Sequence, residues 1–119
     1  MKTNLKVGIA GYGVVGKRRK ECVDLHPNLT LLAVCDQKFE SNGITIDGIT
    51  GFKNYKYLLE ENLDILFVCL TNEIASIVTI EGLKSGFHVF CEKPPGRSVN
   101  DIVDVMEVEK EFPKLKLMY

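Results

Sequence analysis

The first residues that suggest chemistry are Gly11-Tyr12-Gly13-Val14-Val15-Gly16, a G-x-G-x-x-G. Spacing alone is a weak signal in a chain with ten glycines. Context strengthens it: the apolar run Leu5 to Ala10 reads as a strand, and a helical pattern opens at about Val14. In such a strand–turn–helix Gly11 permits the tight turn. Gly13 lets the backbone approach a pyrophosphate without a Cβ in the way, and Gly16 lets the helix pack close to the strand. The N–H groups around Val14 and Val15 then point at phosphate oxygens, assisted by the helix dipole.

Asp36 is the second candidate. It stands about 20 residues past Gly16, directly after the apolar run Leu31 to Cys35. A carboxylate at that strand end accepts hydrogen bonds from the adenosine ribose hydroxyls of a dinucleotide. A 2′-phosphate would meet a like charge there, so NAD is expected, with NADP as the alternative. Gln37 and Lys38 follow, and Lys38 is placed to neutralise part of a phosphate's charge. The cluster Lys17-Arg18-Arg19-Lys20 reads instead as a solvated helix face whose long stems cover apolar surface. Basic residues this early in a helix oppose its dipole.

The elements that must hold these residues alternate short apolar runs with longer amphipathic ones, the pattern of βαβ units and a parallel sheet. Strands are expected at Leu5 to Ala10, Leu29 to Cys35, Ile49 to Phe52, Ile65 to Leu70, Phe87 to Cys91 and Leu115 to Tyr119. A looser stretch, Gln37 to Gly51, is punctuated by Gly43, Gly48 and Gly51. Helices are expected from Val14 to Leu25, from an Asn54 cap through Glu61, from Ile74 to Lys84, and from Ser98 to about Glu111. Ser98 and Asp101 have capping-box spacing, and Gly86 is a helix stop. The expected fold is α/β: a doubly wound, mostly parallel, six-stranded Rossmann sheet with helices on both faces.

Composition narrows the class. The chain has 119 residues, 45% of them apolar and 26% charged, enough for one domain with a core and a polar surface. Fifteen Lys plus Arg balance sixteen Asp plus Glu. That balance argues against nucleic acid as a partner. Cys22, Cys35, Cys69 and Cys91 contain no C-x-x-C pair, and His26 and His88 lie apart from any such pair, so no metal site is expected. The cysteines read as reduced, buried, small hydrophobes. Met1-Lys2-Thr3-Asn4 leads straight into the first strand without a signal-peptide pattern, and no run approaches the ~18 apolar residues of a membrane span. A cytoplasmic protein with no membrane partner is expected.

The segment Gly86-Phe87-His88-Val89-Phe90-Cys91-Glu92-Lys93-Pro94 resembles the G-x-H-V-x-x-E-K-P signature of the Gfo/Idh/MocA family. These are NAD(P)-dependent oxidoreductases of sugars, inositols and nucleotide sugars, and the resemblance runs from the glycine turn to the last strand. Thr71-Asn72 looks like the family's T-P-N turn without its proline, and the histidine that usually follows is absent. The resemblance implies that Lys93 is catalytic beside the nicotinamide, hydrogen-bonding the substrate hydroxyl and stabilising the alkoxide that precedes hydride loss. It implies that Glu92 contacts the nicotinamide riboside or holds Lys93. It implies that Pro94 fixes the backbone so that Lys93 points into the cleft, and a cis Lys93–Pro94 bond is expected. It also implies that Thr71 and Asn72 border the cofactor where the strand order reverses. Outside that resemblance, Glu92-Lys93 reads as a surface ion pair in a Pro-rich turn. His88 reads as structural.

In the family a second α/β domain follows the last strand and supplies the substrate pocket and the oligomer interface. The expectation is therefore that residues 1–119 are a dinucleotide-binding domain cut from a longer, homo-oligomeric two-domain enzyme acting on a sugar-type substrate. Alone, as a monomer, they would bind cofactor without turnover. The alternatives are a non-enzymatic dinucleotide sensor or regulator on the same fold, and a methyltransferase or CoA-binding domain with a similar glycine turn.

Overall fold

A strand covered on both faces must be apolar on both faces. Val7, Ile9 and Ala10 in β1 (Leu5–Ala10) have no exposed surface, and β2 (Leu29–Cys35) ends on the buried triplet Ala33, Val34 and Cys35. The computed structural model describes residues 4–45 and 47–119. The expected lead-in Met1 to Thr3, and Ile46 of the looser stretch, lie outside the described residues.

Helix α1 spans Val14–Leu25 and β1 and β2 span their runs as predicted. Then come β3 (Gly43–Ile44), β4 (Thr50–Phe52), α2 (Tyr55–Leu59), β5 (Ile65–Val68), α3 (Asn72–Lys84), β6 (His88–Cys91), α4 (Val99–Glu111) and β7 (Leu117–Met118). The strands form one sheet in the order β3-β4-β2-β1-β5-β6-β7. Every neighbouring pair is parallel except β3–β4. The sheet thus has seven described strands, not the expected six. The addition, β3, is a two-residue antiparallel edge with both residues exposed, so it leaves no apolar period to read.

Two apolar layers sandwich the sheet. Val7, Ile9, Tyr12, Val23 and Val34 form one, on the α1 side. Leu58, Leu66, Val68, Val78, Leu83 and Val89 are among the residues of the other, with α2 and α3. Caps explain the helix boundaries. Asn54 Oδ1 accepts the Lys56 N–H at 2.9 Å, and Ser98 Oγ accepts the Asp101 N–H at 3.3 Å. The expected capping box closes only halfway, because the Asp101 carboxylate accepts the Arg97 N–H at 2.8 Å. Helix α3 begins at Asn72, two residues earlier than the apolar period suggested. His88 is structural: its Nδ1 accepts the Lys116 N–H at 2.9 Å and ties the β7 edge to β6. Cys35 and Cys91 are buried and Cys69 half-buried, whereas Cys22 is exposed on α1, contrary to the expectation of burial.

Candidate functional site

The chain runs outward from β1 through β2 to β4, then returns to the other side of β1 at β5 and continues to β6. Loops leaving the C-terminal ends of β1 and β5 therefore turn in opposite directions and open a crevice between them. Gly11 leaves β1 at φ +94°, a conformation that side chains rarely adopt, with its N–H donated to Cys35 O at 2.8 Å. A Cβ on Gly16 would lie 1.9 Å from the Gly11 carbonyl oxygen, so only glycine lets α1 sit this close to the turn.

Gly13 is different. A Cβ there would meet nothing within 4 Å. Gly13 is the N-cap of α1 and offers no side chain to its N–H groups. The N–H groups of Val14, Val15 and Gly16 have no carbonyl one turn back within the helix. Val14 is 70% exposed and Val15 41%. An open cradle of backbone donors at the positive end of a helix suits a pyrophosphate.

Asp36 follows β2 and is bound to the glycine turn. Its Oδ2 accepts the Tyr12 N–H at 2.9 Å and its Oδ1 accepts the Lys38 N–H at 2.9 Å. Each carboxylate oxygen keeps further lone-pair capacity, enough for a ribose diol. Tyr12 serves the site through its backbone. Its ring is buried edge-on to Phe39 with centroids 6.3 Å apart, and its phenol donates to Asp47 Oδ2 at 2.6 Å. Burial first, then the bond to Asp47, pushes that phenol's pKa above the usual tyrosine value.

Gly11 and Gly13 of the turn line one cleft of about 730 Å³ with Asp36, Gln37, Lys38 and Thr71, whereas Tyr12, Val14, Val15 and Gly16 do not line it. Ser41, Asn42, Lys53, Tyr55, Tyr57 and Ile74 line it too. These escaped sequence reading because they come from a loop and two helices without a motif; the Asn54 cap was the one local signal of a helix start there. Cys35 and Cys69 complete the floor, and burial pushes both thiols up to about 12, which makes them inert lining. The neighbouring Glu81 carboxylate, then burial, pushes the Tyr55 phenol up to about 12. Thr71 is exposed as the N-cap of α3. Asn72 starts that helix and does not line the cleft.

Glu92 and Lys93 occupy the next strand end rather than the cleft lining. The Glu92 N–H donates to Val68 O at 2.9 Å. Its carboxylate pairs with Arg19 of α1, not with Lys93, so the local ion pair of the alternative reading is absent. Lys93 is exposed and precedes Pro94 through a cis bond, as predicted. The basic cluster is thus only partly solvated. Lys17 and Arg18 are exposed, Lys17 standing 5.8 Å from the Tyr12 ring centroid, and Lys20 pairs with Asp24 at 2.5 Å. Arg19 is turned inward to Glu92, and that hydrogen bond is the main reason its guanidinium holds its proton above the usual value.

Among the described residues no group of three or more His, Cys, Asp or Glu gathers as a metal site, and no helix is long and apolar enough to cross a membrane. Along the edge the groups run Asp36, then the glycine turn, then Glu92-Lys93, on both sides of the switch point.

Comparison with known proteins agrees. The chain is 26% identical over 121 residues to inositol 2-dehydrogenase/D-chiro-inositol 3-dehydrogenase of Lactiplantibacillus plantarum, covering 94% of this chain and 34% of that protein. It is 27% identical to 2,7-anhydro-N-acetylneuraminate hydratase of Escherichia coli, covering 90% of this chain and 29% of that one. The crystal structure of scyllo-inositol dehydrogenase from Lactobacillus casei with bound NAD(H) and scyllo-inositol shares the fold, with a TM-score of 0.83 at 20% identity over 97% of this chain and 35% of that one. The chain spans about a third of the length of the relatives it matches. Residues 5–118 match the Gfo/Idh/MocA oxidoreductase family, NAD-binding Rossmann fold, and the chain belongs to that family.

Proposed function

We propose that this chain is the cofactor-binding part of an oxidoreductase that moves a hydride between the hydroxyl- or carbonyl-bearing carbon of a sugar, polyol or nucleotide sugar and a nicotinamide, with NAD preferred to NADP. The observation that carries this reading is one sheet edge bearing an open glycine cradle, a backbone-tied Asp36 and an exposed Lys93. The names of the relatives, inositol dehydrogenases among them, support the substrate class.

The cradle at Gly13 to Gly16 holds the pyrophosphate, and Asp36 accepts the two hydroxyls of the adenosine ribose. Gln37 and Lys38 flank that ribose, and Thr71, with Asn72 beside it, borders the middle of the cofactor. A 2′-phosphate would approach the Asp36 carboxylate, which is the basis for preferring NAD. When bound, the nicotinamide supplies the hydride acceptor. Lys93 Nζ donates a hydrogen bond to the substrate oxygen as that oxygen gains negative charge, and Glu92 orients the segment. Lys93 is exposed in this chain, whereas hydride transfer requires a site closed to water. The chain alone is therefore proposed to bind cofactor as a monomer without turnover. The assembled enzyme is proposed to be a cytoplasmic homo-oligomer.

Replacing Lys93 by alanine in the full-length enzyme tests the reading. The reaction should slow by about 10²–10⁴-fold while NAD(H) affinity changes little. Undiminished turnover would reject Lys93 as the catalytic residue, whereas cofactor binding with no turnover even in the wild-type enzyme would favour a sensor. The likeness to a hydratase favours a second reading, a net addition or loss of water at the same edge. Following NADH absorbance alongside product separates the two, since net hydration accumulates no reduced cofactor.

A further inference from the structure

We propose that Arg19 is a positioning residue for the nicotinamide end of the site, acting through Glu92. Arg19 lies on α1, one turn beyond Gly16. Its Nε and Nη2 both reach Glu92 Oε1, across the end of β5. Its guanidinium also lies 5.5 Å from the centroid of the Phe90 ring, which stacks on Phe67 with centroids 5.3 Å apart. The two side chains of the pair are 34% and 20% exposed, so the contact is half shielded from water. Glu92 is therefore held twice: by its N–H on Val68 and by its carboxylate on Arg19. β6 ends at Cys91, and Glu92 keeps one backbone bond to β5 before the segment turns away.

This ties the helix that cradles the pyrophosphate to the segment that carries Lys93. Without Arg19, a half-buried carboxylate loses its counter-ion and must turn either to water or to the ammonium next to it. Either movement re-aims residues 92–94. Arg19 itself touches no reacting atom. Lysine is a poor substitute, because a point charge cannot present two nitrogens to the carboxylate and a flat face to Phe90 together.

The inference rests on the cofactor reading above, so its test pairs two probes. ADP-ribose has the adenosine, ribose and pyrophosphate but no nicotinamide; NADH has all four. Both are titrated calorimetrically into this chain, wild type, Arg19→Gln and Arg19→Lys. The expected result for Arg19→Gln is about tenfold weaker NADH binding with ADP-ribose affinity within about twofold of wild type. Arg19→Lys should fall between, about threefold weaker for NADH, and it carries the test should Arg19→Gln fail to fold. Equal loss for both probes, or loss for neither, overturns the positioning role. Failure of the wild type to bind ADP-ribose at all overturns the cofactor reading on which the inference stands.

Discussion

Alanine at Gly13 and alanine at Gly16 add the same methyl group to one turn, with opposite consequences. At Gly16 the new Cβ would lie 1.9 Å from the Gly11 carbonyl oxygen and 3.0 Å from its carbon. Ordinary contacts need roughly 3.5 Å, so helix and turn must separate by more than about 1 Å. The clash is backbone on backbone, which puts it near the upper end of the ~1–3 kcal/mol range for overpacking. Alanine recovers about 1 kcal/mol of helix propensity, leaving a net loss of about 2 kcal/mol. In a domain of this size that lowers Tm by roughly 8 °C. At Gly13 the backbone is extended, with φ −85°, and nothing lies within 4 Å. A gain of about 0.4–1 kcal/mol from a stiffer unfolded chain opposes a similar loss from replacing glycine by alanine at an N-cap. Stability should therefore change by less than about 0.5 kcal/mol. Binding should not survive: the methyl fills the cradle, and NADH affinity should fall at least about tenfold, a loss of 1.4 kcal/mol or more. Urea unfolding followed by circular dichroism, with calorimetric NADH titration, reads both effects. Wild-type NADH affinity in Gly13→Ala would refute the assignment of the cradle. Wild-type stability in Gly16→Ala would refute the close-approach argument.

Other perturbations test other links. Asp36→Ala removes the acceptor of two backbone N–H groups and should cost about 1–3 kcal/mol in urea unfolding. It should also narrow the preference for NADH over NADPH in competition titrations. Cys22 is the exposed thiol, while burial holds Cys35 and Cys69 at about 12, so brief iodoacetamide treatment at pH 8 should label Cys22 first, as peptide mapping will show. The same raised thiols set an alkaline limit. Unfolded cysteines ionise near 9.0 and the folded ones near 12, so their contribution is intact below pH 9 and is lost as pH rises toward 12. The urea midpoint should fall between pH 8 and pH 10.5, and less steeply in Cys35→Ala.

What was legible in the sequence had a local cause. β1, α1 and β2 show the apolar run, the glycine turn and the second run in immediate succession, and their predicted boundaries match the structure. Caps at Asn54 and Ser98 announce themselves by side-chain chemistry within three residues. The illegible parts depend on distant partners. Cys69 and Leu70 look like strand but leave β5 to floor the cleft. The strand expected from Leu115 pairs only at Leu117 and Met118, opposite Val89 and Phe90 of β6. Asn72 was expected at the cleft but begins α3 instead, since the Thr71 carbonyl already receives the Ile74 and Ala75 N–H groups. The pairing of Arg19 with Glu92 joins residues 73 positions apart, and a cluster of four basic residues gives no local sign of which one turns inward.

The most direct test of the central claim is an ¹⁵N-edited NMR titration of this chain with NADH. The account predicts saturable shifts concentrated on the amides of Gly13 to Gly16, on Asp36 to Lys38 and on Glu92-Lys93, with NADPH binding more weakly. No shift at millimolar NADH, or shifts that avoid the glycine turn, would contradict it.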